Sequence, residues 1–294
     1  MNDNLPIVSN YTQLKSRRFI FTAVLVLLSC NTTWASLLIM PNRVVIEGEK
    51  KSASIILANT STNKKSYDVI WKQQRLMPDG RFMELSSDSN EVGNASRFLR
   101  FSPNKITLLP GKKQTIRILA RRKIKLSSRE LRSHLTLQTI SDIDSYDAPY
   151  NIGPPVQSRF ENSYSIPVIV RQGKLDTNAQ ITSMLFRKLS SEKQNNYYVR
   201  LTLNGTGRNT STGRIVVSWK RRAQAGYQII GNLPGISLYP ESASVYFLIK
   251  LNLENEPRGF IKVAYEGTNE FTGQVFDVVE RTVQSHEFRE PTIE

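Results

Sequence analysis

Histidine and cysteine, two of the side chains used most often for metal binding and for nucleophilic or acid–base catalysis, are scarce in this sequence. The chain has two histidines, His134 and His286, and one cysteine, Cys30. Because a structural zinc site needs four cysteine, histidine or carboxylate ligands close together, two histidines this far apart predict no metal site. Glu254 and Glu256 resemble the paired carboxylates of an acid–base catalyst. They flank a predicted turn, so we interpret them as turn residues.

Glycine-rich loops that cradle phosphates are also missing from the sequence. Residues 205–210, Gly-Thr-Gly-Arg-Asn-Thr, lack the third glycine of a dinucleotide-binding fingerprint and lie between two predicted strands. The sequence has no phosphate-binding Walker loop and no Gly-x-Ser-x-Gly nucleophile elbow. We therefore predict no enzyme, no catalytic residue and no cofactor.

The most informative segment is the run Glu-Asn-Ser-Tyr-Ser-Ile-Pro-Val-Ile-Val-Arg at residues 161–171. Its apolar side chains alternate, as they do along one face of a β-strand; they are Tyr164, Ile166, Val168 and Val170. Pro167 cannot donate a ladder hydrogen bond, which favours an edge strand or a bulge. A long apolar edge strand is a template for pairing with a foreign strand. We interpret this strand as one that is kept available for another protein, or for self-association.

The amino-terminal segment has the layout of a secretory signal peptide. Three basic residues, Lys15, Arg17 and Arg18, precede an apolar run at residues 19–28, and cleavage is predicted after Ala35. Removing 35 of 294 residues leaves 259. Lipid attachment at Cys30 is the alternative. Because no later apolar stretch is long enough to span a bilayer, we expect an exported protein without stable membrane insertion.

The charge of the chain is strongly basic. The net charge of +15 becomes +13 once the predicted signal segment, which carries three cations and one carboxylate, is removed. Such a charge suits acidic partners. A nucleic-acid-binding protein would show a basic helix or aromatics interleaved with cations. Neither feature stands out, so we predict that the protein does not bind nucleic acid.

The elements that position these residues are strands. Apolar alternation recurs at roughly 8–12-residue spacing with turn residues between, which is typical of a β-sandwich. Predicted strands are residues 36–39, 44–47, 52–58, 66–72, 98–101, 105–108, 114–120, 134–140, 163–171, 180–186, 197–204, 213–220, 244–253, 259–265 and 275–282. Asp79-Gly80 signals a hairpin. We predict an all-β chain with an immunoglobulin-like domain at 36–172 and a smaller β-sandwich at 173–294.

Seven segments, in order, resemble the periplasmic chaperones of the chaperone–usher pilus pathway. They are Arg43-Val44-Val45-Ile46, Tyr67-x-Val69-x-Trp71, Asp79-Gly80-Arg81, Phe101-Ser102-Pro103, Leu109-Pro110-Gly111, Glu130-Leu131-Arg132-Ser133-His134-Leu135 and Ser165-Ile166-Pro167-Val168-Ile169-Val170-Arg171. The residues of the last two segments are similar to those of the archaic branch of this family. The resemblance implies two immunoglobulin-like domains in an L- or boomerang-shaped arrangement, and a periplasmic location.

The resemblance also implies a mechanism, donor-strand complementation. Pilus subunits of this pathway lack the last strand of an immunoglobulin-like fold, and the chaperone inserts its own strand into the resulting groove. Main-chain hydrogen bonds and alternate side chains then hold the subunit. An outer-membrane usher later exchanges that strand for the next subunit's extension. The alternative function is a structural immunoglobulin-like surface or fibre protein.

The resemblance also implies roles for individual residues, which are assigned by their positions in the matching segments. Arg43 matches the arginine that binds the subunit's terminal carboxylate, although spacing alone would favour an ordinary surface arginine. The family's second cation, a lysine, aligns with Ser165, and Arg171 is a candidate substitute. By alignment the groove-binding side chains are Val156, Phe160 and Tyr164, and by alternation they continue through Ile166 and Val168. The other interpretation is that Ile166, Val168 and Val170 fill the protein's own core. We expect the split between groove-binding and core residues to fall near Ser165.

Overall fold

The computed structural model describes residues 36–87, 89, 93–121, 130–140, 163–190, 195–255 and 258–288, and about 65% of these residues lie in β-strands. The strands are β1 (Leu37–Met40), β2 (Val44–Glu47), β3 (Ser52–Asn59), β4 (Lys65–Leu76), β5 (Phe82–Leu85), β6 (Leu99–Ser102), β7 (Lys105–Leu108), β8 (Lys113–Ala120), β9 (Glu130–Ile140), β10 (Ser163–Arg171), β11 (Ala179–Ser190), β12 (Asn195–Gly205), β13 (Ser211–Lys220), β14 (Gln228–Leu238), β15 (Ser244–Leu251), β16 (Gly259–Gly267) and β17 (Val275–Val283). Short 3₁₀ turns occur at Ser96–Phe98, Asn269–Phe271 and Ser285–Glu287. Within this part of the chain, no helix has the length and apolar character needed to cross a membrane.

The strands form four sheets. Strands β1 to β10 make one sheet ordered β1-β3-β8-β6 and another ordered β2-β10-β9-β4-β5, with β7 beside β4. Strands β11 to β17 make sheets ordered β11-β12-β15 and β14-β13-β16-β17. In the described residues, no strand of the first group pairs with a strand of the second. The prediction of an all-β, sandwich-like chain is confirmed.

Each pair of sheets encloses its own apolar core. In the first core Ile55, Ile116 and Leu135 have no exposed surface. In the second core Leu201 and Val263 are equally buried. Burying each such side chain stabilises the fold by about 1.5–3 kcal/mol, so the two cores hold the two sandwiches without any cysteine pair in the described chain.

The two sandwiches also touch. Leu76, the last residue of β4, is 5% exposed and packs in the core of the second sandwich. The Ser242 hydroxyl donates to the Leu76 carbonyl at 3.2 Å, and the Tyr246 amide donates to the Pro78 carbonyl at 2.8 Å. The end of β4 and the following turn therefore form part of the floor of a cleft between the sandwiches.

Most predicted strands are confirmed to within a few residues, and two strands were missed. The Asp79-Gly80 hairpin is present, with Gly80 at a φ of +80°, but its second strand β5 is short. The other missed strand, β14, contains Pro234 and two glycines and leaves Ile229 69% exposed. A partly exposed strand of this composition has no alternation to detect.

The chain changes sheet between β1 and β2. Strand β1 pairs antiparallel with β3, with Met40 opposite Ile56. Strand β2 instead pairs parallel with β10, with Val44 opposite Val168. The crossing segment is Pro41-Asn42-Arg43, and Pro41 suits a strand end because it has no N–H to donate. Arg43 therefore stands at the point where the chain enters the second sheet.

Candidate functional site

Strand β10 has two halves with different neighbours. Its last four residues, Val168 to Arg171, lie between β9 on one side and β2 on the other. Residues 163–167 pair with β9 only. Along these five residues no described strand covers the outer flank, so β10 is an interior strand at one end and an edge strand at the other.

The open flank follows from the change of sheet. If β2 continued backwards in the same register, Met40 would lie opposite Tyr164. Met40 is instead committed to the other sheet, opposite Ile56. Pro167, the last residue of the open half, has no N–H for a ladder bond. The boundary between the two halves thus lies between Pro167 and Val168, two residues beyond Ser165.

The side chains of β10 that face the sandwich interior are already buried. Ile166 and Val168 are 3% and 0% exposed and belong to the first core, and Tyr164 packs against it half-buried. This burial favours the interpretation in which Ile166 and Val168 fill the protein's own core, because period-two alternation points both side chains inward. Val156 and Phe160 lie outside the described residues.

The cleft between the sandwiches holds a cavity of about 370 Å³. Arg43, Ser165 and Pro167 line it from the first sandwich, and Thr212 and Tyr239 from the second. The structure thus brings Arg43 and Ser165 to one site, beside the open half of β10. Ser165 is exposed, and its hydroxyl lies 2.8 Å from the Thr136 hydroxyl.

The Arg43 guanidinium is hydrogen-bonded through one of its three nitrogens, and the other two have no partner among the described residues. Its Nη1 donates to both carboxylate oxygens of Glu270, at 2.9 Å each. Its Nε and Nη2 are buried and have no hydrogen-bond partner among the described residues. These two groups form the side-on fork with which arginine grips a carboxylate bidentately. The side chain is 9% exposed, so an incoming carboxylate there would be largely desolvated.

Arg171 is tied into ion pairs instead. Its Nε donates to Glu47 Oε2 at 2.7 Å, and its Nη2 lies 3.1 Å from Glu270 Oε1. Glu270 therefore bridges two arginines of the first sandwich from the second. Partial burial acts to raise the pKa of Glu270, but the hydrogen bonds from its own backbone and from Arg43, with the charges of Arg43 and Arg171, hold that pKa below its usual range.

Strand β9 supplies two further contacts across the cleft. Arg132 is 3% exposed, forms an ion pair with Glu241 and stacks over the Tyr239 ring at 3.4 Å from its centroid. The Glu130 carboxylate accepts hydrogen bonds from the backbone N–H and the hydroxyl of Thr210. Burial raises the pKa of Glu130, although those hydrogen bonds and the nearby arginines act in the opposite direction.

His134 is the one histidine of the cleft in the described chain. It is 2% exposed, and neither ring nitrogen has a partner among the described residues. Phe82 contacts its ring edge-to-face at 5.2 Å between centroids. Burial, with a smaller effect from the Arg132 charge, lowers the pKa of His134 to about 3. The imidazole is therefore neutral at physiological pH.

Several of these residues were not found from the sequence. Glu270 lies in a short 3₁₀ turn with no pattern around it, and only folding brings it to Arg43. His134 is packed against Phe82, and its ring nitrogens have no hydrogen bond among the described residues. Glu130 and Arg132 stand in the Glu-Leu-Arg-Ser-His-Leu segment that carried the family resemblance, which was the one signal that pointed to them.

No protein-family model matches the chain, and no curated protein matches it. Solved structures similar to it include the class 5 fimbriae chaperone CfaA, with 11% identity, a TM-score of 0.40, and coverage of 84% of this chain and 98% of that one. The CsuC–CsuE chaperone–tip subunit complex from archaic Csu pili of Acinetobacter baumannii matches with 14% identity, a TM-score of 0.40, and coverage of 88% and 100%. The complex of the SafB chaperone with SafA pilin from Salmonella enterica matches with 11% identity and a TM-score of 0.40. The match covers 86% of this chain and 98% of that one. Each of these three structures is a fimbrial chaperone or a complex that contains one.

Removing Glu270 should lower the free energy of unfolding more than removing the carboxylate of a surface ion pair. Glu270→Ala leaves two buried guanidiniums without their shared partner, and we expect the free energy of unfolding to fall by about 3–5 kcal/mol. The matched control is Glu266→Ala, whose partner Arg214 is 51% exposed and which should cost about 0–1 kcal/mol. Urea denaturation measures both. Equal losses would contradict a buried bridge.

His134 predicts an acid-sensitive fold. Because the folded protein keeps His134 neutral down to a pKa of about 3, the unfolded chain binds the extra proton below about pH 6.5. Stability contributed by neutral His134 is present above that pH and is lost as the pH falls, by about 2 kcal/mol at pH 5. Denaturation at pH 7.5 and pH 5 should show a larger loss for the wild type than for His134→Leu. The same loss in both would rule out this cause.

Proposed function

We propose that this protein is a periplasmic chaperone that captures fibre subunits by lending them the open half of β10 and hands them to an outer-membrane usher. The observation that supports this most is the flank at residues 163–167, which no described strand covers and which lies beside a cleft in which the Arg43 fork likewise has no partner in the described part of the chain. The family resemblance in the sequence supplies the kind of partner, an immunoglobulin-like subunit that lacks its last strand.

The open flank can bind a foreign strand through main-chain hydrogen bonds. Edge residues present N–H and C=O groups that an added strand satisfies, and this mode of recognition depends little on the partner's sequence. The flank is short, because Val168 is already paired with Val44 of β2. An added strand must therefore extend from Pro167 towards Ser163 and beyond, into the segment that contains Phe160 and Val156.

The position of Arg43 predicts the direction of the added strand. A foreign strand beside residues 163–167 would be collinear with β2, and its end would meet the residue before Val44, which is Arg43. Because a guanidinium binds a carboxylate and repels an amino terminus, that end should be the carboxyl terminus. A strand whose carboxyl terminus meets the start of β2 runs parallel to β10. We therefore propose parallel pairing, with the subunit's last residue in the cleft.

The side chains offered to the groove must come from upstream. Ile166 and Val168 are committed to the first core, which leaves Val156 and Phe160, with Tyr164 at the margin. We propose Val156 and Phe160 as the groove-binding residues. Arg171 serves the ion pairs of the interface, and Ser165 offers a hydroxyl where the family has a cation. A second copy of this chain is the competing occupant of the open flank.

Arg43 provides the first test of subunit capture. Arg43→Ala should lower the yield of a co-exported subunit at least 10-fold, because the terminal carboxylate loses a bidentate partner worth about 1.5–3 kcal/mol. Arg43→Lys keeps the charge but not the fork, so it should restore only part of the yield. The matched control is Arg208→Ala, since the Arg208 side chain is 68% exposed. Unchanged yield with Arg43→Ala would show that Arg43 holds no carboxylate.

The upstream residues provide the second test. Replacing Val156 and Phe160 together by Asp should abolish capture, because charged side chains cannot enter an apolar groove without a large desolvation penalty. The control replaces Val275 and Val278, which are 53% and 48% exposed on β17, by Asp. Co-purification of the subunit measures both. Capture that survives the first pair would mean that the groove is filled by other residues, and dimers in place of complexes would favour a second copy.

A further inference from the structure

The cavity of the cleft has more aromatic lining than capture of a carboxylate requires. Phe82, Tyr239 and Phe247 line it together with His134. Phe82 is 46% exposed, and it contacts both His134 and Tyr239 edge-to-face, at 5.2 and 6.0 Å between centroids. The volume of about 370 Å³ falls at the lower end of the range of small-ligand pockets, which is roughly 300–1,000 Å³.

Two buried polar groups in the same lining have no partner within the described chain. His134 is 2% exposed, and both of its ring nitrogens lack a hydrogen bond among the described residues. Thr212 lines the opposite wall, is 4% exposed, and its hydroxyl lacks a partner there as well. Buried polar groups are nearly always hydrogen-bonded in native proteins. Unpartnered groups on both walls of one cavity therefore indicate a ligand that supplies the missing bonds.

We propose that this cavity is a specificity pocket for the side chain of the bound subunit's last residue, and that it selects tyrosine. This inference rests on the proposed function, which places the terminal carboxylate at Arg43, another lining residue of the same cavity. A carboxylate held there leaves the side chain of the same residue inside the aromatic lining. The ring packs against Phe82 and Tyr239, and its hydroxyl meets His134 or Thr212.

The chemistry of the lining disfavours indole, phenyl, small hydroxyl and basic side chains. A neutral imidazole has one donor and one acceptor nitrogen, and a phenol both donates and accepts, whereas an indole only donates. Phenylalanine would fill the space but leave His134 and Thr212 unpartnered, and a small hydroxyl residue would leave the space unfilled. A basic side chain is disfavoured by the charges of Arg43 and Arg132.

Peptides of one sequence with different last residues test the pocket. An acetylated, alternating threonine–valine peptide ending in Tyr, Phe, Trp or Ala, each with a free or an amidated terminus, is titrated into the full protein by calorimetry. We expect the free Tyr peptide to bind about 10-fold more tightly than the Phe peptide, since a buried polar group left unpartnered weakens binding by that order. Equal or tighter binding of the Phe or Trp peptide in the wild type overturns the inference.

Variants separate this pocket from carboxylate capture. His134→Leu should reduce the preference for Tyr over Phe to less than about 3-fold while the loss on amidation stays. Thr212→Val is an isosteric second variant that should lower the same preference in case His134→Leu does not fold. Loss of binding on amidation without any Tyr preference leaves the proposed function standing and removes the pocket. No effect of amidation, or no binding of any peptide, counts against both.

Discussion

Strand β2 covers only the last four residues of β10, and the rest of the site depends on this one limit to pairing. It arises because β1, which would otherwise continue β2 backwards, is hydrogen-bonded to β3 in the opposite sheet. The sheet change leaves residues 163–167 with a flank that no strand of the described residues covers, and it places Arg43 at the end of the space beside them. A single connection therefore accounts for both the partly uncovered edge of β10 and the position of Arg43 beside it, the two features on which the proposed function rests.

Buried charged side chains lie around the cleft beside that edge, and their desolvation lowers the free energy of unfolding. Arg43, Arg132 and Arg171 are nearly inaccessible, and their partners Glu241 and Glu270 come from the second sandwich. Buried ion pairs are weak evidence for stability, because well-packed apolar residues often serve as well. The role of these ion pairs is to fix the geometry of the cleft. They join the sandwiches through directional contacts and hold one corner of Arg43 while its fork stays unpaired among the described residues.

The sequence predicted much of this fold and only part of the site. Alternation located β10 and most other strands, and the missing N–H of Pro167 indicated an edge. Neither signal could show that the edge covers only half of the strand, because this depends on where β1 pairs. Alternation could not decide what Ile166 and Val168 contact, since they alternate in the same way whether they fill a partner's groove or the protein's own core. Glu270 had no local signal, because its role exists only once two sandwiches meet.

Backbone amide exchange on β10, followed residue by residue by NMR, tests the open edge most directly. In the free protein, alternate amides between Ser163 and Ile166 should exchange quickly because they face the uncovered flank, while those of Val168 to Arg171 are protected from both sides. Adding an incomplete fibre subunit should slow exchange at the first set and leave the second unchanged. Bound subunit with no change in exchange at residues 163–166 would contradict the account.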